Sequence, residues 1–187
     1  MEQDTPEGTR WREVSPGVFY PESSPVLAAG ADLRLLEAQA LASPRGRARL
    51  CAHPAPEAEL HEMLVCLARA TYIRPHRHLK PESALILRGA CDLVLLDALG
   101  NVADVLRLSD PAGRDAFFVR LAEPVYHTYL VRSDFLFFVE SKSGPLDRRL
   151  TEFAPWAPAE DEPTGDYVKD LRRRAELRRP AGRGLGP

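Results

Sequence analysis

The chain is poor in cysteine, and the three it has, Cys51, Cys66 and Cys91, are an odd count with no CxxC spacing. That leaves no zinc ribbon and no disulfide framework, so the thiols read as reduced core residues of a cytoplasmic protein. Long apolar runs are missing too. The longest, such as 93–96 and 135–139, are far shorter than the roughly 20 residues that cross a bilayer. The opening MEQDTPEGTR is acidic and polar, unlike a secretory leader. Neither sign of charge dominates. A formal net charge of -2 gives no reason to expect nucleic acid or an anionic membrane as partner. GxSxG and a phosphate-cradling glycine loop are both absent, so serine nucleophile chemistry and nucleotide hydrolysis lack their residues. Glycine trails proline, 12 against 17, and so many prolines favour turns and short elements over a helical bundle.

What is present fits one domain, since 187 residues hold a substantial core but not two ordinary domains. Residues 1–30 read as an irregular arm, because Pro6, Pro16, Pro21 and Pro25 interrupt any long element. A short strand near 18–20 is the exception. Asp32 then opens a helix with Leu33, Leu36 and Ala40 on one face, ended by Pro44 and Gly46. From residue 48 the period changes to short apolar or alternating runs: 48–52, 61–68, 71–76, 83–87, 92–96, 102–108, 116–121, 125–131 and 135–140. Turn signals such as Gly89, 99–101 and 110–113 separate them. Regular short strands of this kind predict an all-β antiparallel barrel or double sheet. The core domain spans 31–158. Residues 159–187 read as a charged, flexible tail in which arginines alternate with acids, with a short charged helix allowed over 167–179 and disorder over 180–187.

The informative stretch is ATYIRPHRHLKPESALILRG, residues 70–89. His76 and His78 lie two apart on a strand, so both imidazoles point to one face. Glu82 follows a three-residue loop and returns its carboxylate to the same place. Two imidazoles and a carboxylate at this spacing suit one divalent first-row ion, Fe, Mn, Ni, Co or Zn.

In this pattern the chain resembles the cupins. HxH, three residues, E, six residues and G is their first motif, and His76, His78, Glu82 and Gly89 match it. Ala70 stands where a glycine usually opens it. The second motif, PxGxxH, resembles LAEPVYHTYL, with His127 as the fourth ligand. Ala122 and Pro124 replace its proline and glycine, and Val131 stands where asparagine is usual. The resemblance implies a cupin fold: a double-stranded β-helix, or jelly-roll-like barrel, with a short N-terminal helix and irregular terminal arms. RARLCAHP (47–54), YIRPHRH (72–78), SGP (143–145) and TEFAPWAP (151–158) are similar, more narrowly, to the WbuC family of cupin-fold metalloproteins. That family implies a setting in bacterial polysaccharide (O-antigen) biosynthesis but no known reaction.

By parity Tyr72 and Arg74 share the face of His76, Tyr129 shares that of His127, and Glu140 ends an apolar strand near the pocket. These four form a candidate substrate-binding set, Arg74 taking an anion and the tyrosines hydroxyls. The competing reading pairs Arg74 with Glu140 or another acid as a structural ion pair. Lys80, His53 and His61 read as loop, structural or surface residues. Trp11 and Trp156 read as pins for the two arms. The expected ligand is a small anionic sugar or sugar nucleotide. A homodimer stays open, and neither nucleic acid nor membrane is expected. The chemistry divides three ways: Lewis-acid isomerase, epimerase or lyase, Fe(II) dioxygenase, and non-catalytic sugar-binding or sensing module. The sequence singles out no residue for a catalytic role.

Overall fold

The computed structural model describes residues 9–178. The first eight residues of the N-terminal arm, and the disorder expected over 180–187, lie outside them.

The N-terminal arm forms a hairpin of β1 (Trp11–Ser15) and β2 (Val18–Pro21), which sets a parallel edge against β3 (Arg47–Cys51). Between them runs α1 (Gly30–Ala42). Asp32 caps it from inside the first turn: one carboxylate oxygen accepts from Ala29 N–H at 2.6 Å and the other from Trp11 Nε1–H at 2.8 Å. One side chain thus ties the helix start to the hairpin. The apolar face of α1, with Leu36 and Ala40, closes over Phe19, Ala48, Leu50, Cys66 and Phe137.

Next come β4 (Leu60–Ala68), β5 (His76–His78), β6 (Glu82–Arg88), β7 (Ala90–Leu96) and β8 (Val102–Ser109). They are followed by β9 (Phe118–Leu121), β10 (Tyr126–Val131), β11 (Phe135–Ser143) and β12 (Thr151–Phe153). Two sheets result. One runs β1-β2-β3-β4-β11-β6-β9 and the other β12-β5-β10-β7-β8. Apart from β2 and β3, all named strand pairs are antiparallel. Leu67, Ile86, Leu93, Leu108, Leu136 and Phe138 fill the space between the sheets. Gly89 makes the turn from β6 into β7 at φ 93°, where any Cβ would run into the Phe135 carbonyl oxygen. The glycine is therefore a steric requirement of that turn.

Two expectations are corrected. The run 71–76 is not a strand: Pro75 breaks it, and β5 begins only at His76. Nor is the tail a free polyampholyte from residue 159. α2 (Gly165–Arg178) packs on the outer face of the five-stranded sheet, burying Leu171 and Ala175 against Val94, Leu96, Val105 and Leu130. Its arginines serve as ties, Arg174 Nη1 donating to Gly100 O at 2.7 Å and Arg178 Nε to Ala103 O at 3.2 Å. Trp156 donates to Ala98 O at 3.1 Å and anchors the segment leading to this helix. Each sheet therefore carries one helix outside, and the two bury their common core between them. Among the described residues, no helix is long and apolar enough to cross a membrane.

Candidate metal centre

The site lies at one end of the space between the sheets. β5 is only three residues long, but it is paired on both sides, and that pairing orients its two histidines. His76 sits opposite His127 of β10 on one side and opposite Phe153 of β12 on the other. His78 sits opposite Thr151. The loop from His78 to Glu82 is held by Leu79 N–H to Leu150 O and by Lys80 Nζ to Gly144 O, both 2.9 Å. Glu82 then opens β6 in the facing sheet, so its carboxylate meets the imidazoles across the gap. The three ring centroids lie 4.6 to 6.1 Å apart.

The far side of each ring is already engaged. His76 Nδ1 lies 2.9 Å from Arg74 O, and His127 Nδ1 lies 3.0 Å from Val125 O. A carbonyl oxygen only accepts, so both Nδ1 atoms carry the proton and both Nε2 atoms present a bare lone pair. His78 Nδ1 is 2.9 Å from Thr151 Oγ1. The Nε2 atoms of His127 and His78 then face the two oxygens of Glu82 at 3.1 and 3.3 Å. Read as ion pairs, these contacts would need charged histidines. Burial opposes that, pushing His76, His78 and His127 each down to about 4, so the rings are neutral at physiological pH. Burial, with the neighbouring Glu140 charge adding to it, pushes the Glu82 carboxyl up to about 8. Lone pairs thus point at a carboxylate inside the protein, an arrangement that calls for a proton or a cation between them. The two contacts at Glu82, 3.1 and 3.3 Å, match the donor spacing that bonds of ~2.1 Å at octahedral or tetrahedral angles produce. The donor set fits a first-row divalent ion, with the outward hydrogen bonds that usually orient ligand imidazoles.

Glu140 belongs to the same cluster. Ligand-type atoms of His78, Glu82 and Glu140 all lie within 4.8 Å of one another. Burial resists ionisation of Glu140, but Lys142, with Nζ 2.9 Å from Oε1, carries the carboxyl down to about 2. Tyr129 is enclosed beside it, stacked on Phe138 at 5.2 Å, and burial pushes its phenol up. Both line a cavity of about 190 Å³ with Glu82 and Val119.

The other two candidates lie elsewhere. Tyr72 donates its hydroxyl to Pro158 O at 2.9 Å and packs on Tyr167. Arg74 donates to Ala154 O at 2.8 Å and sits over the Phe153 ring. Arg74 and Glu140, paired in the alternative reading, do not meet, because Glu140 takes Lys142 instead. Parity failed here for a physical reason: with β5 starting at His76, residues 72–74 have no strand to fix their facing.

Three residues were missed. Thr151 holds His78, and its signal was the TEFAPWAP segment, which had been assigned no strand. Lys142 has the parity of Glu140 on a strand that runs four residues beyond its apolar part. His61, opposite Lys142 in the β4–β11 ladder, faces the same interior. It stacks on His53 at 3.9 Å, so the structural part of its reading holds as well.

Residues 29–108 match a family described as a domain of unknown function, DUF6016. The match takes in His76, His78, Glu82 and Gly89 and stops short of His127. No curated protein matches the sequence. Among solved structures, a cupin 2 conserved barrel domain protein from Rhodopseudomonas palustris is similar at 17% identity and a TM-score of 0.46, over 72% of this chain and 80% of that one. An RmlC-like cupin with a double-stranded β-helix fold from Methanocaldococcus jannaschii is similar at 18% identity and a TM-score of 0.38, over 46% and 72%. A cupin-superfamily sugar phosphate isomerase from Silicibacter pomeroyi gives 17% and 0.37, over 46% and 52%. The strand order of the two facing sheets decides the fold. This chain has the cupin fold. At such low similarity the relatives assign it no substrate or reaction.

Proposed function

We propose that the protein binds one divalent transition-metal ion through His76, His78, Glu82 and His127. In this reading it acts on a small anionic sugar, with a WbuC-type role in bacterial polysaccharide biosynthesis. The observation that carries the metal reading is the bare Nε2 lone pair of buried His127 facing the Glu82 carboxyl at 3.1 Å, with its Nδ1–H tied outward to Val125 O. A divalent ion held there supplies Lewis acidity toward a substrate carbonyl or hydroxyl oxygen. The chain's own residues would do the rest. Glu140 offers a second carboxylate, ionised beside the Lys142 ammonium, and Tyr129 closes the cavity floor. A second carboxylate and a phenol next to the ligands can position substrate oxygens, which supports isomerase, epimerase or lyase chemistry over a purely binding module.

The narrower family reading draws on where its segments fall. TEFAPWAP supplies Thr151 to His78, Glu152 to Arg77 and Phe153 beside His76, and the SGP turn supplies the carbonyl that Lys80 grips. Three of the four segments that carry the resemblance, YIRPHRH among them, therefore meet at the site. Elemental analysis of freshly purified protein tests the proposal. Near-stoichiometric zinc, nickel, cobalt or manganese is expected. Iron that oxidises in air would redirect it to dioxygenation, and protein that takes up no transition metal would overturn it.

A further inference from the structure

A cleft of about 370 Å³, open to solvent, runs along one wall of the metal centre. Its lining includes His78, Thr151, His61, Lys80, Lys142 and Asp147. The β11 register explains how a polar row comes to lie there. Lys142 is paired with His61 of β4 on one side and with Glu82 of β6 on the other, so all three share the inner face. Each ammonium in the cleft uses one donor within the protein: Lys80 on Gly144 O and Lys142 on Glu140, both at 2.9 Å. An ammonium has three donors, so each keeps others for a ligand. Two lysines and one aspartate line the cleft; Glu140 is paired with Lys142 and Arg149 with Asp147, so what the cleft offers an anion is the spare ammonium donors.

We infer that this cleft seats the substrate's anionic group, a carboxylate held between Lys80 and Lys142 while a neighbouring hydroxyl or carbonyl oxygen reaches the face of the centre that His78 presents. The inference rests on the metal-centre reading and narrows it. The substrate class becomes a small hydroxy acid such as a sugar acid, and the anion-binding role moves from Arg74 to the two lysines. A carboxylate needs no more than the donors the two ammoniums keep free. A phosphate dianion would bring its second charge toward Asp147 and Glu140.

Calorimetric titration of metal-free and Mn²⁺-loaded protein with D-glucuronate, D-glucose and glucose 6-phosphate tests this, with ion content measured on every sample. Glucuronate should bind about tenfold more tightly than glucose, the worth of one charge-assisted hydrogen bond. Lys80→Met should lower glucuronate affinity about fivefold or more, since one of its two charged anchors is removed. Lys142→Met alone would strand Glu140, so Glu140→Gln/Lys142→Met is the companion variant and should lose at least as much. Lys80→Met leaves no buried charge unpaired and reports even if the double variant folds poorly. Equal affinity for glucose and glucuronate, no glucuronate binding at all, unchanged affinity in Lys80→Met, or a clear preference for glucose 6-phosphate would each overturn the inference. Protein that holds an ion but does not discriminate glucuronate sinks this proposal and leaves the centre standing. Lysine-dependent glucuronate binding in protein that takes up no ion does the reverse.

Discussion

The two ends of the space between the sheets are built by the same strands with opposite chemistry. Along β11 the inward side chains run Leu136, Phe138, Glu140, Lys142. Along β6, read in the opposite direction, they run Ile86, Ala84, Glu82, and along β10 Val131, Tyr129, His127. Facing never changes, because the strand period is two throughout; only polarity does. At the apolar end, burial is stabilising at about 25 cal/mol per Å² of apolar surface. At the polar end, burial raises the Glu82 pKa and lowers those of the histidines, free energy held in reserve for a cation. One end supports the fold, and the other is supported by it.

The largest expected effect lies at the apolar end. Phe138→Ala should destabilise the protein by roughly 3–5 kcal/mol in urea unfolding, as emptying a well-packed aromatic site does. The folded fraction should still bind metal. Loss of metal affinity in folded protein would show that the two ends are coupled and break the comparison.

Next comes α2, which covers the outer face behind the core. Deleting residues 165–187 re-exposes Val94 and Leu96 and removes Leu171, so a loss of roughly 3 kcal/mol is expected. The metal centre lies on the other face of that sheet and should keep its ion. A melting temperature unchanged by the deletion would contradict the docking.

The smallest effect concerns Glu160, which ties the C-terminal segment to β3. Its carboxylate takes a bidentate grip from Arg47 at 2.7 and 2.9 Å. Burial works against its ionisation, but the Arg47 hydrogen bonds and charge outweigh it and hold the carboxyl below its ordinary range. A depressed folded pKa means stability that is fully present above the unfolded value and lost as pH falls through the folded one. Glu160→Gln should cost about 1 kcal/mol at neutral pH, and the difference from wild type should vanish on acidification below the ordinary carboxylate range. A gap that persists in acid would show that the charge is not what holds the segment.

How much of this was legible in the sequence follows the same contrast. The apolar ends of the strands announced themselves by alternation, and β3, β4, β6 to β8, β10 and β11 fall where it placed them. His76, His78 and Glu82 were legible because their spacing is a local pattern, two along a strand and then one loop. Lys142 was not, because ESKS looks like loop once the apolar signal stops, although ladder pairing carries β11 on to Ser143. Arg74 was misplaced because parity was extended through Pro75 into chain with no strand. The helix α2 was hidden by its composition: Leu171 and Ala175 are its only fully buried side chains, and its arginines, which read as solvated charge, reach back to carbonyls at Gly100 and Ala103. Such ties between distant residues leave no mark on local sequence.

The most direct measurement compares melting curves and bound ion for wild type and His76→Ala/His78→Ala, metal-free and with Zn²⁺. Wild type should bind one ion per chain and gain about 2.7 kcal/mol at free zinc a hundredfold above its Kd. The double variant should melt at one temperature with or without zinc and retain no stoichiometric ion. A double variant that still binds one ion per chain with an equal stabilisation would contradict the metal centre described here.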